Sequence, residues 1–223
     1  MDVKNYFSDS LTGHEALFDE CGYPWEALKR LQSYLESQEL GKIEIELPDS
    51  VHLVHPSLIS IAKGVVIEPN VLIQGPCIIG PKCVIRLGAY IRGNVILGKN
   101  CVVGHSTEVK HAIFFDGAKA AHFNYVGDSI LGRDVNLGAG VKCANYRLDG
   151  ETISVSWDGK KINTGLKKFG AIVGDGAQIG CNAVTNPGTL VGKNAVILPC
   201  LNVGGTIAEG AMIKSTKETK CLL

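Results

Sequence analysis

The chain has no excess of charge of either sign. Its 223 residues carry 22 basic and 22 acidic side chains and six histidines, for a formal net charge of zero. General nucleic-acid binding needs a basic surface, and electrostatic membrane docking needs a polybasic patch, so neither class fits. Long apolar runs are also missing; none approaches the length that spans a bilayer. The opening MDVKNYFSDS has no basic segment followed by an apolar one, which predicts no secretory signal. Eight cysteines are present, yet none forms a CxxC pair. Cys77, Cys83 and Cys101 recur at one position of a repeat and read as small core residues rather than metal ligands or disulfides. A reducing, cytoplasmic setting fits this usage.

What the chain has is a period of six. Ile61, Ile67, Ile73, Ile79, Ile85, Ile91, Leu97, Val103 and Val109 are spaced without slip. Four residues after each sits a small or apolar residue, from Val65 and Val71 through Cys101 to Thr107. This period matches neither a helix at about 3.6 nor an ordinary strand at about 2. It is the pattern of a parallel β-helix in which three hexapeptides make one triangular coil. The 27 glycines suit a fold that turns a corner every six residues. The pattern blurs at 114–124, resumes at Leu131 and Leu137, breaks at 142–170, and returns at Val173, Ile179, Thr185, Val191, Ile197 and Val203.

These breaks divide the chain into residues 1–57, 58–213 and 214–223. In the first part Leu28, Leu31 and Leu35, with Trp25 before them, make one apolar stripe at helical spacing, and Pro24 suits a first turn. A short helical arm over the open end of the prism is expected, with residues 42–57 leading into the coils. Within the excursion at 142–170, ETISVSW-DG-KKIN reads as a hairpin, with Asp158-Gly159 suited to a type I′ turn. Insertions in repeat proteins collect on the binding side, which directs attention to this loop and the coil before it.

That coil holds most of the chemistry. Residues 119–147 contain His122, Asn124, Tyr125, Asn136, Asn145 and Tyr146. A thin β-helix core cannot take so many polar groups cheaply, so all are expected to face outward.

Here the sequence resembles a known family. KAAHFNYVGDSILG followed by VNLGAGVKCANY is similar to the acetyltransferase domain of the bifunctional enzyme that makes UDP-N-acetylglucosamine. It is closer still to the archaeal-type sugar-1-phosphate nucleotidylyltransferase/acetyltransferases, which share HFNYVGDSI, VNLGAG and KKFGAIVGDGAQIG. The resemblance covers residues 60–213. It implies an all-β, left-handed parallel β-helix with a short N-terminal helical arm, assembled as a homotrimer. It also implies acetyl-CoA as co-substrate with no metal, and transfer to the amine of an amino-sugar 1-phosphate. His122 corresponds to the catalytic base, with Asn145 beside it orienting the amine. Tyr125, Asn136 and Tyr146 correspond to residues around the sugar, and Arg92 and Lys110 to the pair that binds its phosphate. A phosphate suits fixed cations, and a neutral imidazole suits the proton an attacking amine must lose. The coils at 171–200, with Cys181 and Pro199, correspond to the groove for the pantetheine arm. Lys214 and Lys217 are placed as partners for the CoA phosphates.

Three departures matter. Cys181 stands where the bacterial family has a small hydroxyl residue. The 147–168 loop is longer than in the bacterial enzyme, which leaves the amino sugar open. The nucleotidylyltransferase half is missing, since the residues before the coils are too few for a nucleotide-binding domain. The alternative is a non-catalytic oligomerisation or regulatory module paired with a separate nucleotidylyltransferase. A lipid A-type acyltransferase would share the fold and a histidine but not the KAAHFNYVGD context. A zinc carbonic anhydrase of similar fold needs another histidine spacing than that of His105, His111 and His122.

Overall fold

The computed structural model describes residues 2–8 and 13–215. The chain winds as a left-handed parallel β-helix with three strand faces. The first face runs from His52–Val54 to Asn202–Val203, the second from Ile59–Ile61 to Thr206–Ile207, and the third from Val66–Ile67 to Met212–Ile213. The six-residue period is the cause. Each coil points one aliphatic inward from each face, and parallel register stacks it on its equivalent in the next coil. On the first face Ile73, Ile91, Val109, Val126 and Cys143 follow one another in register, all fully buried.

Where the pattern blurs at 114–124, the coils do not break. Ile91 pairs with Val109, 18 residues on, whereas Val109 pairs with Val126, 17 on. One residue has been dropped at the corner between the first and second faces. Gly93 and Asn94 turn that corner in one coil, His111 alone turns it in the next, and Asp128 alone in the one after. Each of these lone residues adopts φ +48°. The strands Glu108–Phe114 and Tyr125–Leu131 therefore run through the corner unbroken.

The arm is not over the open end. Helix α1 (Glu26–Glu36) and, before it, Tyr6, Phe7, Leu17 and Trp25 lie along the outside of the second face. That face turns Ile96, Ile113, Ile130, Ile172 and Leu190 outward, and they form a second core with Phe7, Trp25, Leu28, Leu31 and Leu35. An aliphatic column of that length would be a large exposed patch if left bare, so it captures the apolar stripe of α1. The end of the prism is closed instead by the lead-in residues Ile43, Ile45, Leu47, Val51 and Leu53, which pack on the main core. The excursion helps to cover the same face. Ser154–Trp157 and Lys160–Asn163 form the expected hairpin, with Asp158 and Gly159 at φ 48° and 69° as a type I′ turn requires. Ile153 and Val155 from its first side lie in the second core.

His111 ties the arm to the coils. Its Nε2 donates to the Leu28 carbonyl at 2.9 Å. Burial pushes its pKa below the ordinary 6.5; Lys110 adds to that, while Asp128 and the bond to Leu28 oppose it. The folded protein then binds fewer protons here than the unfolded chain. This contribution to stability is complete above about pH 6.5 and is lost as the pH falls from there through the depressed folded value. The thermal midpoint should therefore drop between pH 7.5 and 5, and His111→Gln should flatten that slope. An unchanged slope in the variant would assign the acid sensitivity elsewhere.

Candidate active site

Side chains pointing outward from the first face form a ladder. Gln74, Arg92, Lys110 and Gly127 occupy one column, and Tyr90, Glu108, Tyr125 and Lys142 the next. The ladder is crossed by charge pairs. Arg92 donates to Glu108 Oε1 at 2.6 Å and lies 5.8 Å from the centre of the Tyr90 ring. Lys110 Nζ reaches both oxygens of Asp128, at 3.2 and 3.1 Å. Asn145 Nδ2 donates to Asp128 Oδ2 at 2.5 Å and to the Tyr125 hydroxyl at 3.1 Å. A Cβ at Gly127 would fall 2.6 Å from that hydroxyl and 2.7 Å from Asn145 Nδ2, so an alanine here would displace both side chains from this arrangement. Burial raises the pKa of Tyr125, with Asp128 adding to the effect, and the phenol stays protonated at neutral pH.

A cavity of about 440 Å³ opens over this network, lined by Arg92, Lys110, Tyr125, Asn145, Tyr146 and Lys168. Five of the candidate residues thus share one cavity. Lys168 is the residue that sequence reasoning missed. The excursion leaves the coils at Tyr146 and returns at Lys168, and the two form an antiparallel bridge at its neck. The Asn145 carbonyl accepts from Phe169 N at 2.9 Å, which fixes that neck. The signal lay in KKFGAIVGDGAQIG, but nothing local says that residue 168 closes onto residue 146.

His122, Cys181 and Pro199 lie elsewhere, on the edge between the third and first faces. Backbone bonds stack this edge from coil to coil. The His122 carbonyl accepts from Gly140 N, that of Ala139 from Asn182 N, and that of Cys181 from Cys200 N, at 2.8–2.9 Å. His122, Cys181 and Pro199 are all exposed along it. Lys214 is exposed at its far end, just after Ile213, whose carbonyl accepts from Leu198 N at 3.0 Å. Lys217 lies outside the described residues.

One expectation needs correction. Asn124 does not face outward; it is 3% exposed. Its Oδ1 accepts from His122 N at 3.0 Å and its Nδ2 donates to the Gly138 carbonyl at 2.7 Å. An amide with both ends satisfied can be buried at little cost, and here it clamps the backbone that carries His122. Asn136 faces outward but on the third face, in register with Lys119 and Gln178, away from the cavity. The histidines are dispersed: His122 is in register with His105, while His111 is bonded to α1. No group of three or more His, Cys, Asp or Glu that could hold a metal occurs among the described residues. No helix among them is long and apolar enough to cross a membrane.

A family model described as the GMPPB C-terminal domain matches residues 73–165. A bifunctional sugar-1-phosphate nucleotidylyltransferase/acetyltransferase from Sulfurisphaera tokodaii is 33% identical over 205 residues, covering 90% of this chain and 50% of that protein. Bifunctional protein GlmU from Methanococcus maripaludis is 34% identical over 180 residues, covering 81% of this chain and 43% of that one. The chain spans about half the length of the curated relatives it matches. Among solved structures, the acetyltransferase domain of PglB from Neisseria gonorrhoeae in complex with acetyl coenzyme A is 13% identical, covers 84% of this chain and 60% of that one, and has a TM-score of 0.26. Over most of its length the chain is thus a relative of the bifunctional sugar-1-phosphate nucleotidylyltransferase/acetyltransferases and of GlmU, and it corresponds to their C-terminal region.

Proposed function

We propose that this protein transfers the acetyl group of acetyl-CoA to the amine of an amino-sugar 1-phosphate, glucosamine 1-phosphate or galactosamine 1-phosphate. The observation that carries the reading is the cavity in which Arg92, Lys110, Tyr125, Asn145 and Tyr146 converge with Lys168. Arg92 and Lys110 are each matched by a carboxylate, Glu108 and Asp128. With Glu108 and Asp128 counted beside the lining, three cations meet two carboxylates, and Lys168, exposed at the neck, is the cation bonded to neither. Together these cations suit a phosphate. Tyr125, Asn145 and Tyr146 offer hydrogen bonds and a flat wall to a sugar ring.

The edge carrying His122, Cys181 and Pro199 is the run for the pantetheine arm. Three steps of roughly 4.8 Å separate the His122 corner from the Pro199 corner, about 14 Å in all. Lys214, at the far end, suits the CoA phosphates. In the reaction the neutral amine attacks the thioester carbonyl and His122 takes the proton it sheds. The tetrahedral intermediate expels the CoA thiolate, which leaves as the thiol after protonation. His122 sits on an edge beside exposed Leu87 and Phe123, apolar side chains that a second copy would cover. The working form is accordingly a homotrimer with its site at the subunit boundary.

The test is CoA release from acetyl-CoA with glucosamine 1-phosphate, galactosamine 1-phosphate and free glucosamine. Turnover with one phosphorylated amine and at least tenfold less with free glucosamine is expected. A folded oligomer that turns over none of them would shift the reading to a non-catalytic module paired with a separate nucleotidylyltransferase.

A further inference from the structure

Asp128 is a buried carboxylate, 5% exposed, bonded to two residues that line the cavity, Lys110 and Asn145. Like His111 in the preceding coil, it turns alone a corner that the coil of Gly93 and Asn94 turns with two residues, at φ +48°, and its own carbonyl accepts from Gly170 N at 2.8 Å. A carboxylate can only accept hydrogen bonds. It therefore dictates which end of the Asn145 amide faces it. The amide nitrogen has two hydrogens, and the bonds to Asp128 Oδ2 and to Tyr125 use both. Only the side-chain oxygen of Asn145, Oδ1, is left unspent, and it is an acceptor. The Tyr125 oxygen already accepts from Asn145, so its own proton is free to be given away. The Lys110 ammonium spends hydrogens on the two carboxylate oxygens and keeps one.

From this we infer that Asp128 is a positioning residue that sets the donor and acceptor sense of the whole cavity. Through it, Asn145 presents an acceptor to an N–H of the substrate amine, while Tyr125 and Lys110 present donors to the substrate's oxygens. The inference rests on the acetyl-transfer reading for its chemistry. The hydrogen-bond sense itself does not depend on turnover.

The experiment uses the full chain and the acceptor that wild type turns over. Asp128→Asn supplies an amide that lets Asn145 flip. Its kcat should fall at least 10-fold, with the KM for acetyl-CoA within twofold of wild type. A merely structural role would lower the thermal midpoint and leave kcat per folded molecule intact. The exchange variant Asp128→Asn/Asn145→Asp restores a carboxylate–amide pair with its sense reversed, so that Tyr125 must donate to residue 145. It should recover the thermal midpoint and not the kcat; recovery of both would overturn the proposal, as would wild-type kcat in Asp128→Asn. A second readout stands apart from activity. The side-chain amide signals of Asn145 in a ¹⁵N spectrum, assigned by their loss in Asn145→Asp, should lie away from those of exposed asparagines in wild type. In Asp128→Asn they should move toward them. Signals indistinguishable from exposed asparagines in wild type itself would refute the arrangement, whether or not either variant folds and whether or not any acceptor is acetylated.

Discussion

His122→Ala should lower kcat/KM for acetyl transfer by about 10²–10⁴-fold, the usual worth of a positioned general base. The KM for acetyl-CoA should change little, because the proposed pantetheine run extends from the His122 corner over the coils of Cys181 and Pro199 and most of it lies away from the imidazole. Backbone geometry should survive as well. What holds the corner is the His122 N–H on Asn124 and its carbonyl on Gly140 N, neither of which uses the imidazole. The control is His105→Ala. His105 is in register one coil away, and its Nδ1 is bonded to the Leu87 carbonyl at 2.9 Å. It should retain most of the turnover. If His122→Ala kept more than a tenth of wild-type kcat/KM, the base would have to be sought among the cavity residues instead.

Gly104→Ala should destabilise the fold severely. A Cβ there would lie 1.6 Å from the Ala121 carbonyl oxygen and 2.0 Å from its carbon. Both are backbone atoms of the next coil, so no side-chain rotation relieves the clash. The cause is the same shortened step that unites Glu108–Phe114: Val102–His105 and Lys119–His122 pair 17 residues apart, with Gly104 beside Ala121 where the latter strand bends toward the His122 corner. Adjacent coils would have to separate, breaking the register on all three faces. A loss of about 4 kcal/mol or more is expected, at the extreme of single substitutions. In a chain of this size that is a fall of roughly 10 °C in thermal midpoint. Gly22→Ala is the control, since its nearest contact would be the end of the flexible Glu26 side chain at 3.7 Å. It should be close to neutral. A Gly104→Ala protein with a wild-type midpoint would mean that the coils can slip past one another at low cost.

Some of this was readable in one dimension because it is local. The inward aliphatics repeat every six residues wherever a coil has its full length. The hairpin turn is chosen by Asp158-Gly159, and α1 by a stripe of leucines with its own period. The position of the arm was missed, although a signal existed. Ile78-Ile79, Ile96-Leu97, Ile130-Leu131, Ile172-Val173 and Leu190-Val191 are apolar doublets that all fall on the second face. A doublet alone does not mean that both sides are buried, since Val66 and Met212 in third-face doublets stay exposed; what marks the second face is an unbroken outward column of large aliphatics. That doublet column required a cover, and the leucine stripe was the available one.

The sequence alone therefore determined the coil, the helix of the arm, the hairpin and the kinds of side chain available for chemistry. These depend on neighbours a few residues apart. Only the tertiary structure decided which of those side chains meet. Arg92, Lys110, Tyr125, Asn145 and Lys168 come from successive coils and from the neck of an excursion, and their convergence depends on register. Dropping one residue at the corners of His111 and Asp128 resets that register. It places Asp128 against Lys110 and Asn145, a contact between residues 17 and 18 positions apart that no local pattern encodes. The same long-range stacking sent Asn136 to another face and buried Asn124. Outward direction on a β-helix is set by the coil as a whole, and an amide can be buried wherever the coil satisfies both of its ends.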